Sequence, residues 1–358
     1  MINTMRLTPP LVLASALVLP CLNLAAQQQE PKRPFPYAEV QVGYSNPEAR
    51  GVVLAGTFTK PQAAGPFPAV LLIPGAGPQD RDETIAGHKP FLVLSDYLTR
   101  HGIAVLRVDD RGTDRSTGNF GKSTTLDFAS DAEAGVRYLM TRDDVDRKHI
   151  GLIGHGEGAI IAPIVAVKMP QIAFLVLLAG TAVPGEDVLL EQTERGEKAA
   201  DLPGEQIKAD KKIGKTLYDL VREGASEPEL RRALFKMSGL EEPFLASWRR
   251  QLNRLETPWL RFFLSYDPAP TLQQLKCPVL ALEGQKDLQV IPDQNVPAMR
   301  AAFARSGNPD VTIRVLPGLN YLFQTAQTGF GWEYATLPET MSPTALNLIG
   351  TWIGNHTS

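Results

Sequence analysis

The chain has 358 residues, 43% of them hydrophobic and 21% charged, with a formal net charge of -3; this composition suits a globular protein with a core of ordinary size. It contains no run of Lys or Arg, so neither nucleic acid nor an anionic membrane surface has an electrostatic footing as a partner. The His and Cys residues show no metal-ligand spacing, and no Gly-rich stretch has a phosphate-binding signature, so no cofactor and no metal are expected.

At the N-terminus, Arg6 precedes an apolar segment from Leu11 to Leu22, broken by Pro20 and followed by Leu24-Ala25-Ala26 and a polar run from Gln27 to Glu30. This order is that of a secretory signal, too short to serve as a stable membrane anchor. Residues 1–26 are therefore read as signal peptide, cleaved after Ala26, and 27–36 as a Pro-rich linker. The expected location is secreted or periplasmic. Cys21 would leave with the signal, and the one remaining cysteine, Cys277, would have no partner for an intramolecular disulfide.

Tyr37 to Tyr44 and Val52 to Phe58 carry β-branched residues between turn signals and read as two antiparallel strands. Pro66 to Ile73 is a buried strand, ending in Pro74-Gly75-Ala76-Gly77-Pro78. A helix over His88 to Arg100, a strand over Ile103 to Val108 and a helix opened by the capping arrangement Thr124-Thr125-Leu126-Asp127 follow. Strand and helix alternate again at Ile150 to His155 and from Glu157 onward, and Ala173 to Leu178 is a further buried strand. This alternation predicts an α/β fold: a mostly parallel sheet with helices on both faces. Between that strand and the next, Lys276 to Gly284, the pattern is charged and helical, with Ile213, Leu217, Leu220 and Val221 in one apolar stripe and further stretches at Leu230 to Phe235 and Phe244 to Leu255. Residues 184–267 are read as a helical cap, and 37–183 with 268–358 as the core, closed by a helix from Asp293 to Arg305, a strand from Val311 to Leu316 and a helix around Ser342 to Ile353.

The stretch that organises the core is Gly154-His155-Gly156-Glu157-Gly158. A buried apolar strand running through Gly-x-x-x-Gly into an apolar helix is a nucleophile elbow, but the tip, where a nucleophilic serine belongs, is Gly156. The backbone N–H groups of Ala76 and Glu157 are positioned by this architecture to act as oxyanion donors. His155 and His88 are read as packing residues, and Ser116 and Thr181 have no adjacent base.

Together these residues resemble an α/β-hydrolase with an inserted helical cap. More narrowly, they resemble a family of secreted bacterial hydrolases carrying Pro-Gly-Ala-Gly-Pro-Gln-Asp-Arg-Asp (74–82), Ala-Gly-His-Lys-Pro-Phe (86–91), Asp-Asp-Arg-Gly-Thr (109–113), Leu-Ala-Gly-Thr-Ala-Val-Pro-Gly (178–185), Lys-Asp-Leu-Gln-Val (286–290) and Leu-Pro-Gly-Leu-Asn (316–320). The resemblance implies a Ser-Asp-His triad at the positions of Gly156, Asp287 and Tyr321, of which this chain keeps Asp287 alone. It also implies glycine at 114 and 159, where Asp114 and Ala159 stand.

Glycine has no nucleophile, and tyrosine, with a pKa near ~10, is a poor proton acceptor at neutral pH. The expectation is an exported family member that has lost the chemistry of its triad and retains a capped pocket for a small apolar acyl or ester-like ligand. Two alternatives stay open. One is a slow ester or peptide-like hydrolase in which Asp287 or Glu157 activates water; the other is an interaction protein that uses the cap surface, with a protein partner that is unknown.

Overall fold

A computed structural model describes residues 29–238 and 255–357. Eight strands form one sheet: β1 (Tyr37–Ser45), β2 (Val53–Pro61), β3 (Phe67–Ile73), β4 (Ala104–Val108), β5 (Val145–His155), β6 (Phe174–Leu178), β7 (Val279–Gly284) and β8 (Val311–Leu316). Their order is β1-β2-β4-β3-β5-β6-β7-β8, with β1 and β2 antiparallel to their neighbours and the rest parallel.

The central strands are continuous hydrophobic runs because both of their faces are covered. In β6, Leu175 and Leu177 join one core cluster while Phe174, Val176 and Leu178 join another, as the two-residue period of a strand dictates. The first cluster packs against α2 (Thr125–Met140) and α3 (Gly158–Lys168); the second packs against α1 (Pro90–Arg100) and the C-terminal helix. Burying each Leu or Phe of these layers stabilises the fold by roughly 1.5–3 kcal/mol.

Local boundaries follow the chemistry of the ends. Helix α1 begins at Pro90, two residues later than the spacing suggests, because His88 is held in an isolated bridge with Ile85 and Pro90 is suited to the first helical turn. Helix α2 begins with the anticipated box: the Asp127 carboxylate accepts from the Thr124 N–H at 2.8 Å. The stretch before β1 is no free tether where it is described, since the Gln29 side chain accepts from the N–H groups of Thr340 and Met341 and donates to the Met341 carbonyl.

Between β6 and β7 lie α4 (Gly185–Ala199), α5 (Gly204–Glu223), α6 (Glu227–Ser238) and α7 (Pro258–Ser265). The apolar stripe of α5 is buried at Ile213, Leu217 and Val221, and α7 packs against α2, α4 and α5. Of the helical stretch anticipated over Phe244 to Leu255, all but Leu255 lies outside the described residues. The expected signal over residues 1–26 lies outside them too. Helices α8 (Pro292–Ser306) and α9 (Pro343–Asn355) complete the core. Among the described residues no helix is long and apolar enough to cross a membrane.

Candidate active site

Strand β5 turns into α3 within a few residues, and the turn is as tight as its glycines allow. A Cβ on Gly154 would run into the carbonyl of Gly158, and one on Gly158 into the carbonyl of Ile73 at the end of β3. At the tip Gly156 has φ +53°, a conformation that disfavours every residue with a Cβ. Its N–H donates to the Leu178 carbonyl at 2.9 Å, which ties the elbow to the end of β6.

Tyr321 lies on the loop after β8 and reaches across the sheet edge to this tip. An ideal Cβ on Gly156 would fall closer to the Tyr321 hydroxyl than real Cβ atoms approach any neighbour, and 3.2 Å from the ring carbon bearing it. A Cβ on Gly75 would lie 2.8 Å from the same hydroxyl. The tyrosine oxygen is thus lodged between the two loops that meet at the carboxyl edge of the sheet. Burial, then the negative charges of Glu83 and Asp287, push its pKa well above the usual tyrosine value, so the hydroxyl is neutral and keeps its proton.

Behind Tyr321 stands a buried pair that the sequence reading did not find. His155 Nδ1 lies 2.8 Å from Glu83 Oε1, and its Nε2 lies 3.0 Å from the Tyr321 carbonyl oxygen. Burial alone would lower the His155 pKa, but the charge of Glu83 and its hydrogen bond outweigh that and raise it. Glu83 also accepts from the Gly75 N–H at 2.7 Å, so one carboxylate fixes both the Gly-rich loop and the imidazole. It adopts φ +53°, a sparsely populated conformation for a non-glycine residue. The only signal for it in the sequence is the acidic run that follows the Gly-rich loop.

Asp287 follows β7, as anticipated. Its Oδ1 accepts from the N–H groups of Gln289 at 2.7 Å and Val290 at 2.9 Å, while Oδ2 is buried and has no partner among the described residues. Burial pushes its pKa up to about 7, against those two N–H groups and the charge of His155. Glu283 nearby is likewise pushed well above the usual carboxylate value, by burial and then by the charge of Asp287.

Glu157 contributes more than its backbone. Its carboxylate oxygen Oε1 accepts from Thr125 Oγ1 and from Trp259 Nε1, each at 2.7 Å, joining α3 to the first turn of α2 and to α7. Burial pushes this carboxyl up to about 7 although both donors favour its anion. The N–H groups of Glu157 and Ala76 donate to no acceptor among the described residues.

Ala76, Gly156, Glu157 and Tyr321 all line one cavity of about 520 Å³. Its remaining wall is largely apolar and comes in good part from the inserted helices: Val188 and Leu189 of α4, and Trp259, Leu260 and Phe263 of α7. Asp287 and Asp114 are not lining residues. Asp114 does hold φ +44°, as a position suited to glycine would. Thr181 lines the cavity, but its hydroxyl donates to the Val183 carbonyl; Ser116 donates to the Asp109 carbonyl and accepts from the Ala55 N–H. His88 is consumed by Thr340 and the Tyr334 carbonyl, as befits a packing residue. No group of His, Cys, Asp and Glu among the described residues could hold a metal ion.

A run of parallel strands, a glycine-tipped elbow and a cavity over its carboxyl edge define an α/β-hydrolase fold, and a sequence model of the alpha/beta hydrolase family matches residues 70–328. The chain belongs to that family. It is similar to an esterase of Thermotoga maritima, EstD, at 28% identity over 281 residues, which cover 75% of this chain but 58% of that protein's length. Among solved structures it resembles an esterase of Pyrococcus furiosus, with 15% identity, a TM-score of 0.58 and coverage of 90% of this chain and 92% of the other. It likewise resembles the hydrolase GrgF of a Penicillium species, with 16% identity, a TM-score of 0.55 and coverage of 89% and 99%.

Proposed function

We propose that this chain is an exported member of the family that has lost nucleophilic hydrolysis and retains its cavity, under the inserted helices acting as a cap, as a binding site for a small apolar acyl or ester-like ligand. The observation that carries the reading is the mutual fit of Gly156 and Tyr321. A serine at 156 would put its Cβ on the tyrosine hydroxyl, so the residue in the place of the base fills the space of the nucleophile's side chain. Neither residue can do the other's work: no acyl-enzyme forms on glycine, and a tyrosine held protonated accepts no proton. The name of the Thermotoga relative, an esterase, supports a carbonyl compound as the ligand. The apolar walls support an aliphatic or aromatic body on it.

The test is hydrolysis of short-chain p-nitrophenyl esters by the mature protein and by the Gly156→Ser, Tyr321→His double variant. Silence from the first and turnover by the second is the expected result. Brisk turnover by the natural protein would overturn the reading. Export rests on the order of Arg6, the Leu11 to Leu22 segment and Ala25-Ala26; N-terminal sequencing of protein recovered outside the cytoplasm should begin at Gln27.

A second reading is favoured by Glu157, a residue of the cavity wall whose carboxyl has its pKa pushed up to about 7, as a general base for water requires. It predicts slow ester hydrolysis by the natural protein, abolished in Glu157→Gln. Asp287, away from the cavity wall, is not suited to that role.

A further inference from the structure

We propose that the hydroxyl of Tyr321 is a ligand-binding group: together with the N–H groups of Ala76 and Glu157 it forms a three-donor seat for the carbonyl oxygen of an uncharged carbonyl compound. The inference rests on the binding reading above and names the residue and the charge state that reading leaves open.

Three observations carry it. The hydroxyl stands at the elbow tip between Gly75 and Gly156, one residue from each of the two backbone donors, and Tyr321, Ala76 and Glu157 line the same cavity. The N–H groups of Ala76 and Glu157 donate to no acceptor among the described residues, and donors that face a cavity are ordinarily paired with water or ligand. And no Lys, Arg or His lines the cavity, whereas Glu157 does, and the charges of Glu83, Asp287 and Glu157 all act on the Tyr321 hydroxyl. A site of donors without a cation, backed by carboxyl groups, suits a ketone, ester or amide oxygen and disfavours a carboxylate. In place of the single hydroxyl of a serine that would attack the carbonyl carbon, the tyrosine brings a hydroxyl that holds the carbonyl oxygen.

Methyl hexyl ketone, which cannot be hydrolysed, is the probe, with the corresponding carboxylate, heptanoate, beside it. Binding would be followed by calorimetry at pH 8, and the bound ketone's carbonyl stretch by difference infrared spectroscopy on isotopically labelled ligand. The ketone should bind at least tenfold tighter than heptanoate, with its carbonyl band below the position it holds in an apolar solvent. Tyr321→Phe should weaken ketone binding about fivefold, as expected for one hydrogen bond, and move the band part of the way back. Binding with an unshifted band, or equal affinity and band in Tyr321→Phe, overturns the role of Tyr321 while leaving a binding cavity. Tighter binding of heptanoate overturns the preference for an uncharged ligand. If neither probe binds, the cavity reading falls and this inference with it. Should Tyr321→Phe fail to fold, the band in the natural protein decides alone.

Discussion

The hydroxyl of Tyr321 and the α-carbon of Gly156 are complementary surfaces: the tyrosine oxygen occupies the space that any side chain at 156 would need first. The glycine is therefore kept in place twice, by a backbone with φ +53° and by the tyrosine packed on it. The backbone part alone is worth on the order of 1–3 kcal/mol against a residue with a Cβ. Gly156→Ala should therefore lower stability by about that much or more in urea unfolding. Tyr321→Phe, which removes the oxygen but leaves the ring, should recover part of the loss when combined with it. A double-mutant cycle with no coupling between the two would show that the contact is absent.

His155 and Glu83 predict a pH-dependent contribution of definite sign. Because the folded-state pKa of His155 is raised, its pairing stabilises the protein fully below the unfolded value near ~6.5 and is lost as pH rises through the higher folded value. Glu83→Gln should remove the charge and leave burial to act alone, so that the ring titrates below ~6.5 in an NMR titration. The variant's loss of stability should be larger at pH 5 than at pH 9. A loss independent of pH would mean that Glu83 acts only by holding the Gly75 N–H.

Glu157 carries the same sign for a different reason. Its folded pKa of about 7 exceeds that of an unfolded glutamate, near ~4.3, so protonation favours the fold and stability declines as pH climbs from roughly 4.5 through 7. The decline attributable to this group is on the order of 3 kcal/mol. Glu157→Gln keeps an acceptor for Thr125 Oγ1 and Trp259 Nε1 and removes the titration. Its melting temperature should match the natural protein below pH 5 and exceed it above pH 8. Trp259 emission, sensitive to the carboxylate beside its indole, should titrate near pH 7 in the natural protein and not in the variant.

Much of this architecture was legible in the sequence because it depends on neighbours along the chain. The two-sided burial of β6 reads as an unbroken apolar run, the capping pair of Thr124 and Asp127 lies within one helical turn, and the glycines at 154, 156 and 158 announce a tight elbow. What was not legible depends on contacts between distant segments. Glu83 meets His155 across 72 positions and Trp259 meets Glu157 across 102, and no periodicity links them. The reach of Tyr321 into the elbow depends on side-chain length and loop course. The tyrosine at 321 and the glycine at 156 are visible in the sequence; the contact between them is not.

Asp287 is the remaining test of how the site is wired. It sits after β7 with one oxygen held by two N–H groups and the other buried and unpaired, which is the posture of a carboxylate waiting for a base. In the natural protein that posture only costs stability, a cost that builds up as pH rises from roughly 4 through the folded value of about 7, so Asp287→Asn should raise the melting temperature at pH 8 and leave ligand binding intact. In the Gly156→Ser, Tyr321→His background the imidazole would lie between the new hydroxyl and Asp287. There the same Asp287→Asn change should remove most of the restored ester hydrolysis, by about 10³–10⁴-fold if the carboxylate sets the tautomer of the base. The comparison needs only initial rates of p-nitrophenyl acetate hydrolysis and a melting curve for each variant. Restored activity indifferent to Asp287 would mean that another acidic group, Glu283 or Glu83, orients the histidine, and that the oxygen left unpaired on Asp287 has no partner to serve.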